Sequence, residues 1–276
     1  MTTLEQINKK QLTKSNFDKI VDFHKAYGLV YNEYFNTNIF LDDPKTVELR
    51  YKLINEEIKE LFDAFEQKDF IEVIDALTDI LYVVYGAGAS FGINMNNIFE
   101  IKMNDSNFEK VIFMNYKNNN FKKINEFKIK KDIFEDLSAL EIFNFKFLNP
   151  LKEKDTELYK LTYESNDLEK NLKLFKIKNC LKDILNLTYD FGASLNINMN
   201  KSYEIVHNSN MSKLCLDKEL AIKTVKNYKD NDERYDTPNY RKSGCDKYYV
   251  VYNESTGKIL KSLEYTPANF EKLLNY

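Results

Sequence analysis

Apolar residues recur every three to four positions along most of the chain, which is the spacing of helices with one buried face. In the first half, this pattern predicts helices near residues 15–28, 45–67, 69–88 and 94–111. In the second half, it predicts helices near residues 132–143, 152–175, 177–191 and 198–213. Glycine and proline, which form tight turns, number only seven and four. The sequence therefore predicts an all-α fold class built from helical bundles.

The pattern changes close to the C-terminus, where aromatic and β-branched residues follow one another. Residues 247–253 read Lys-Tyr-Tyr-Val-Val-Tyr-Asn, and a glycine-containing turn at residues 254–257 separates them from residues 258–262. Two such runs around a short polar turn predict a β-hairpin. Because one hairpin is only marginally stable alone, we expect it to pack against the helices.

The chain contains an internal repeat. Residues 88–101 and residues 192–205 agree at nine of fourteen positions without a gap, at an offset of 104. Further downstream, a Ser-Asn pair followed three residues later by lysine occurs both at residues 106–110 and at residues 209–213. The second match follows the first after a one-residue deletion, and agreement over this length indicates a tandem duplication.

The duplication predicts four parts in the chain. We expect a first unit at residues 1–114, a connector at 115–131, a second unit at 132–214 and a C-terminal extension at 215–276. Whether whole chains associate into a homodimer stays open.

Composition and charge narrow the classes of partner. Apolar residues make up 43% of the chain, and the net charge is -3, so no overall positive field is available to hold a nucleic-acid backbone. The first residues lack the apolar segment of a signal peptide, and the longest apolar run is too short to cross a membrane. Three cysteines without CxxC spacing indicate reduced thiols. We expect a cytoplasmic protein that binds neither nucleic acid nor membrane.

Acidic residues form one stripe on each of two consecutive predicted helices. The members of these two stripes are Glu56, Glu57 and Glu60, and then Glu72, Asp75 and Asp79. At about 100° per residue, each stripe occupies one side of its helix, opposite the apolar residues. A short connection makes the two helices antiparallel neighbours, so the stripes can meet.

These acids could simply be solvated helix faces. Two features favour a binding site instead: the second helix is apolar on most of its surface, and no lysine or arginine occurs between Lys68 and Lys102. Carboxylates forced together repel one another unless they are protonated or bridged by cations. An oxygen-only set without histidine or cysteine suits Mg²⁺, with Mn²⁺ as the second choice, and disfavours zinc.

The segments that carry these acids resemble a known superfamily. The strings LINEEIKELFDAF and DFIEVIDALTDILYVVYGAGASFGI contain EExxE followed by ExxD, which is similar to the signature of MazG-like and phosphoribosyl-ATP pyrophosphohydrolase-like proteins. The later strings VHNSNMSKL and GKILKSLEYTPA resemble the terminal elements of one branch of that superfamily. The resemblance covers most of residues 15–110 and 155–268.

The resemblance implies Mg²⁺-dependent hydrolysis of a nucleoside triphosphate to a monophosphate and pyrophosphate. By similarity, the metal ligands would be Glu57, Glu60, Glu72 and Asp75, with Asp79 as a further ligand or as a support for one. Glu56 would orient or deprotonate the attacking water beside Glu57, so these two residues form the expected catalytic pair.

Relatives of this class are usually dimers whose pockets use residues of both subunits. The resemblance therefore implies that the duplicated chain forms an intrachain pseudo-dimer, with nucleotide contacts from both units. The candidates are Asn107 and Lys110 in the first unit and Asn210 and Lys213 in the second, of which the latter two match the family string better. Lysine supplies positive charge for phosphate, and asparagine pairs with sugar or base edges. Helix capping is the alternative role for each of the four.

The second unit keeps the helical pattern but loses the acids. The segments that begin at Tyr51 and Tyr159 both read Tyr-Lys-Leu, and the loop after the helix is four residues shorter in the second unit. The resulting alignment pairs the two acidic stripes with Glu164, Ser165 and Leu168, and then with Lys176, Asn179 and Asp183. A lysine in a ligand position repels a cation, so we expect only the first unit to bind metal.

Three functions stay open at this point. The first is hydrolysis of canonical or non-canonical nucleoside triphosphates, for instance in sanitation of the nucleotide pool. The second is the phosphoribosyl-ATP reaction, and the third is a binding or scaffold protein that keeps the bundle without turnover. A complete first set of acids favours an enzyme. We expect His24 and His207 to be packed or solvent-facing residues, and Tyr82 and Tyr85 to belong to the core rather than to a base pocket.

Overall fold

A computed structural model describes residues 14–96, 141–165 and 167–274, in which α-helices predominate. The helices are α1 (Asn16–Tyr27), α2 (Ile39–Asp42), α3 (Pro44–Glu66), α4 (Phe70–Phe91), α5 (Asn149–Tyr163), α6 (Lys170–Ser194), α7 (Met199–Met211), α8 (Lys218–Asn231) and α9 (Glu271–Leu274). A π-helical turn at Asn144–Leu148 leads into α5. Two antiparallel strands, β1 (Pro238–Lys242) and β2 (Tyr249–Asn253), form a small hairpin. The predicted all-α class with a small C-terminal hairpin is confirmed.

Aspartate caps set the starts of the two helices that carry the acidic stripes. The Asp43 carboxylate accepts a hydrogen bond of 3.1 Å from the backbone N–H of Thr46 and starts α3. The Asp69 carboxylate accepts hydrogen bonds of 3.1 and 3.2 Å from the N–H groups of Ile71 and Glu72 and starts α4. Such caps satisfy amide groups that have no partner within the helix. Both helices therefore begin where the sequence predicts.

α4 is the central helix, because α1, α3, α6 and α7 all pack against it. This position explains why its sequence is apolar on nearly every side. One hydrophobic core extends from α1 through α7 to Phe270, so the two predicted units share it. A separate small core lies between α8 and the hairpin. The division of the chain into four parts stays a prediction. No helix in the described ranges has the length and apolar character that a membrane crossing requires.

The helix boundaries of the second half differ from the prediction. We expected one helix over residues 152–175, whereas α5 ends at Tyr163 and α6 begins at Lys170. The Ser165 hydroxyl donates a hydrogen bond of 3.0 Å to the carbonyl of Lys160, which satisfies an acceptor at the end of α5. Serine and aspartate in this segment favour such local bonds over continued helix. The prediction of a continuous helix was wrong.

The strands of the hairpin also pair differently from the prediction. β2 lies within the predicted strand, but its regular partner is β1, with Pro238 opposite Asn253 and Lys242 opposite Tyr249. The predicted partner, residues 258–262, forms only an isolated bridge with β2. β1 was missed because its sequence is mostly polar and begins with proline, and such residues are depleted in strands.

The structure adds α8, which the sequence analysis did not predict. The Asp217 carboxylate caps this helix by accepting a hydrogen bond of 2.8 Å from the N–H of Leu220. The predicted helix at residues 94–111 has not begun by Asn96. The rest of it, the connector at 115–131 and most of the helix predicted at 132–143 lie outside the described residues.

Candidate active site

A cleft of about 590 Å³ lies between α1, α3, α4 and α7 and has the size of a small-molecule site. The segment that follows the hairpin closes one side of it. The predicted site residues that line this cleft are Glu57, Glu72, Asp75, Asp79, Asn210 and Lys213. The structure thus brings acids from the first half of the chain and polar residues from the second half to one place.

Glu57 has an oxygen atom that lacks a partner. Its Oε2 atom is buried and accepts no hydrogen bond from any residue in the described part of the chain. Burial raises the pKa of Glu57 to about 8, and the charges of Asp79 and Glu60 add to the shift. A buried acceptor without a donor is costly, so a proton or a bound cation would stabilise this position.

Two aspartates of α4 are perturbed in the same direction. Burial, followed by the charge of Asp75, raises the pKa of Asp79 to about 7, and the positive charge of Lys213 opposes that shift. Burial and the charges of Glu72 and Glu60 raise the pKa of Asp75 to about 6. These carboxyl groups hold protons more tightly than exposed acids because they are desolvated and repel one another. Clusters of this kind occur often at functional sites.

Glu56 and Glu60 lie at the exposed side of the acidic cluster. Both side chains are exposed, and neither lines the cleft. After burial, the charge of Glu60 contributes to the raised pKa values of Glu57, Asp75 and Asp79, so Glu60 is close to all three. Among the described residues, no three acidic, histidine or cysteine side chains are already close enough to hold a metal ion. A cation at this cluster would therefore require side-chain rotations that draw the oxygen atoms together.

The opposite wall of the cleft comes from α7 and the residues just after it. The Lys213 ammonium group donates a hydrogen bond of 2.7 Å to Oδ1 of Asn210, and burial lowers the pKa of Lys213. The Tyr27 hydroxyl donates a hydrogen bond of 2.7 Å to the Asn210 carbonyl. Asn210 and Lys213 thus form a fixed pair that faces the acids. Asn107 and Lys110, the corresponding predictions in the first half, lie outside the described residues.

The sequence analysis missed several residues of this cleft. Arg50 and His24 lie at one end, and the segment from Tyr265 to Phe270 forms the rim. Arg50 precedes Glu57 by seven residues, two helical turns, so helical periodicity could have placed it on the same face. Tyr82 is buried and also lines the cleft, in addition to its expected place in the core.

The matched positions in the second half form no comparable cluster within the described ranges. The acid that matches Asp79, Asp183, forms an ion pair of 2.9 Å with Lys154. Glu164 is exposed at the end of α5, while Ser165 and Leu168 lie in the loop before α6. The other two positions, Lys176 and Asn179, are exposed on α6.

Comparison with known proteins gives two similarities. The sequence profile of the phosphoribosyl-ATP pyrophosphohydrolase family matches residues 30–105, a range that contains all six acids. The chain is also similar to "Uncharacterized protein L479" of Acanthamoeba polyphaga mimivirus, with 32% identity over 264 residues that cover 94% of this chain and 96% of that protein. No solved structure matches the chain significantly. The similarity to the viral protein therefore extends over both halves and the C-terminal extension.

Proposed function

The chain belongs to the MazG-like nucleoside triphosphate pyrophosphatase superfamily, and on that premise we propose that it hydrolyses a nucleoside triphosphate to a monophosphate and pyrophosphate. The observation that carries the proposal is the unpartnered, buried oxygen of Glu57 beside Asp75 and Asp79 in a cleft that also contains Lys213. Acids and a lysine on facing walls suit a metal-bound polyphosphate.

Mg²⁺ fits the oxygen donors of this cluster, and Mn²⁺ is the alternative. The residues that would hold it are Glu57, Glu60, Glu72 and Asp75, with Asp79 as a fifth ligand or a support. When bound, the cation would neutralise the polyphosphate and lower the pKa of a water molecule. The unpartnered Glu57 oxygen and the raised pKa values support this assignment, because both indicate carboxylates whose charge is not compensated by the chain itself.

The chain's own side chains supply the remaining parts of the proposed reaction. Lys213 would bind a phosphate oxygen, because its ammonium group faces the acidic wall and is already held by Asn210. Asn210 would contact the sugar or the base with its side-chain amide. Glu56, exposed next to Glu57 and outside the lining of the cleft, would turn toward the acids to orient the attacking water. The rim residue Tyr265 would reduce the access of other water molecules.

We also propose that the two halves form an intrachain pseudo-dimer. Gly88 in α4 packs so closely on Met95 that a Cβ atom would collide with the methionine side chain, and Gly192 in α6 packs in the same way on Met199. Both pairs are related by the 104-residue offset of the repeat. The same local packing at matched positions supports a duplication in which only the first half keeps the acids. The second half would then contribute Asn210 and Lys213 to the working cleft.

Phosphoribosyl-ATP is the second candidate substrate, since the matching profile is that of phosphoribosyl-ATP pyrophosphohydrolase. Both candidate substrates share the same bond cleavage and the same demand on the acids. The two substrates differ in the group attached to the base. The rim formed by the segment from Tyr265 to Phe270 would face that group. A role in sanitation of the nucleotide pool belongs to the first candidate.

Pyrophosphate release tests the proposal. Purified protein with Mg²⁺ is assayed on nucleoside triphosphates, their deoxy forms and phosphoribosyl-ATP. We expect release from at least one of these substrates, abolished by Glu57→Gln and largely retained in the control Lys176→Ala. No release from any substrate, together with a melting temperature that Mg²⁺ and nucleotide leave unchanged, would favour the scaffold protein and contradict the proposal.

A further inference from the structure

Arg50 is a buried cation that has no acidic partner in the described part of the chain. Its side chain lies in α3 at the end of the cleft, and the residue is 7% exposed. Its Nε atom donates a hydrogen bond of 2.9 Å to Oγ of Ser90, and its Nη2 atom lies 3.4 Å from Nε2 of His24. Burial lowers the pKa of Arg50 to about 10. A buried charge without a counter-charge destabilises a fold, so this position calls for another explanation.

Both neighbours of the guanidinium group are neutral acceptors. The Nδ1 atom of His24 is 2.8 Å from the carbonyl oxygen of Val30, so it carries the hydrogen and donates it. Burial and the charge of Arg50 lower the pKa of His24 to about 4, which leaves Nε2 as a lone-pair acceptor for Arg50 at neutral pH. The Ser90 hydroxyl donates a hydrogen bond of 3.0 Å to the same Val30 carbonyl. These contacts orient the guanidinium plane, while Nη1 makes no hydrogen bond to the described residues.

Arg50 lies at a fixed distance from the acids. It precedes Glu57 by seven residues on α3, and Gly86 follows Asp79 by seven residues on α4. At about 1.5 Å per residue, each pair is separated by roughly 10 Å along its helix. Because α3 and α4 are antiparallel neighbours, Arg50 and Gly86 form one level of the cleft, and Glu57 and Asp79 form another.

Gly86 allows the side chains of Arg50 and His24 to pack directly against α4. A Cβ atom at this position would lie 3.3 Å from Nη1 of Arg50 and 3.3 Å from Nε2 of His24. Any side chain at residue 86 would therefore occupy the space next to the donors of Arg50. A methyl group here would push against both side chains and change the orientation of the guanidinium group in the cleft.

We propose that Arg50, oriented by His24 and Ser90, binds the keto oxygen at position 6 of a purine base or position 4 of a pyrimidine base, at the end of the cleft away from the acids. The inference rests on the proposed function, which places the phosphates at the carboxylates and directs the sugar and base toward Arg50. Arginine donors pair with guanine O6 and N7, whereas the exocyclic amino groups of adenine and cytosine present hydrogens instead. The site therefore favours guanine, uracil and thymine over adenine and cytosine.

The test compares Arg50→Met with wild-type protein on GTP, UTP, ATP and CTP, and Arg234→Met serves as the matched control because Arg234 is exposed and remote from the cleft. We expect Arg50→Met to lower kcat/KM for GTP and UTP roughly 10- to 100-fold, mostly through KM, and to change the values for ATP and CTP little. The melting temperature should stay the same or rise, because methionine replaces a buried charge. Gly86→Ala should weaken binding of the keto bases while keeping the charge.

Calorimetric binding of GMP and AMP separates this inference from the proposed function, since it needs no turnover. Tighter binding of GMP than of AMP by wild-type protein, lost in Arg50→Met, supports the base site even if no triphosphate is hydrolysed. An unchanged base preference in Arg50→Met overturns it, whether or not the melting temperature falls. An equal decrease in kcat/KM for all four triphosphates also overturns the base site, because Arg50 would then bind phosphate.

Discussion

The hydroxyl groups of Tyr85 and Tyr189 form a hydrogen bond of 2.9 Å with each other between α4 and α6. The internal repeat matches these two residues, so a position in the first half touches its own copy in the second. Tyr51 and Tyr159, also matched by the repeat, pack edge to face with ring centroids 5.7 Å apart. Contact between equivalent positions is what a two-fold axis produces. The relationship supports the proposed intrachain pseudo-dimer.

Paired substitutions test whether the tyrosine contact couples the two halves. Tyr85→Phe removes one hydroxyl and should lower the free energy of unfolding by about 1 kcal/mol. Tyr189→Phe should cost more, since its hydroxyl also accepts a hydrogen bond of 3.1 Å from Asn16. The double variant should be less destabilised than the sum of the single variants, because neither hydroxyl is left unpaired. Urea unfolding measures all three, and strict additivity would contradict direct coupling.

The raised pKa values of the acids predict how stability depends on pH in the absence of metal. Because Glu57 and Asp79 have pKa values of about 8 and 7, the folded protein retains protons that the unfolded chain releases near pH 4. Their contribution to stability is therefore present at pH 4 and is lost as the pH rises to 8. The lowered pKa values of His24 and His207, about 4, act in the opposite direction. The informative quantity is therefore the difference in stability between wild-type protein and Asp79→Asn, in which the contribution of the histidines cancels.

Melting temperatures measured from pH 5 to 8 check this expectation. Without metal, wild-type protein should lose stability relative to Asp79→Asn as the pH rises. Added Mg²⁺ should stabilise the wild type increasingly toward pH 8, since the carboxyl groups must lose their protons to bind it. If the difference in melting temperature between the two proteins does not change with pH, the acids are solvated and independent of one another.

The rim of the cleft predicts an effect on substrate binding. The Ser209 hydroxyl donates a hydrogen bond of 3.3 Å to the Tyr265 hydroxyl, and the Lys261 ammonium group lies 4.4 Å from the centre of the Tyr265 ring. Tyr265→Ala should raise KM several-fold, up to about tenfold, through loss of the ring. Tyr265→Phe keeps the ring and should behave almost like wild type. Equal KM values for Tyr265→Ala and wild-type protein would show that the rim does not contact substrate.

The elements that the sequence predicted well are those fixed by local interactions. α3 and α4 begin directly after Asp43 and Asp69, where a capping aspartate and an apolar period coincide in the sequence. The end of α5 and the partner of β2 were predicted wrongly. Local side-chain hydrogen bonds such as that of Ser165 end α5 in spite of its apolar period, and the polar strand β1 has no apolar alternation that would reveal it as the partner of β2. Residues 152–175 keep a helical apolar period, yet the chain breaks after Tyr163. A polar strand such as β1 becomes apparent only from its pairing with β2 in the structure.

The candidate site likewise contains some residues that the sequence could place and others that it could not. The approach of Glu57, Glu72, Asp75 and Asp79 in one cleft was predictable, because their spacing places them on facing sides of two consecutive helices. Their role as metal ligands stays a proposal. Helical periodicity could have placed Arg50 on the face of Glu57, but the sequence does not show that this arginine is buried without an acidic partner or that His24 lies beside it. The C-terminal rim at Tyr265 lies about two hundred residues from the acids, and only the folded chain brings it to the cleft.

The central claim is that the acids of the first half gather a divalent cation and that the matched positions of the second half do not. Binding of Mn²⁺, measured by electron paramagnetic resonance, compares wild-type protein with Asp79→Asn and with its repeat-matched control Asp183→Asn. We expect wild-type binding, an affinity reduced roughly 10- to 100-fold in Asp79→Asn, and wild-type affinity in Asp183→Asn. Equal affinity in all three proteins, or no binding by any of them, would contradict the claim.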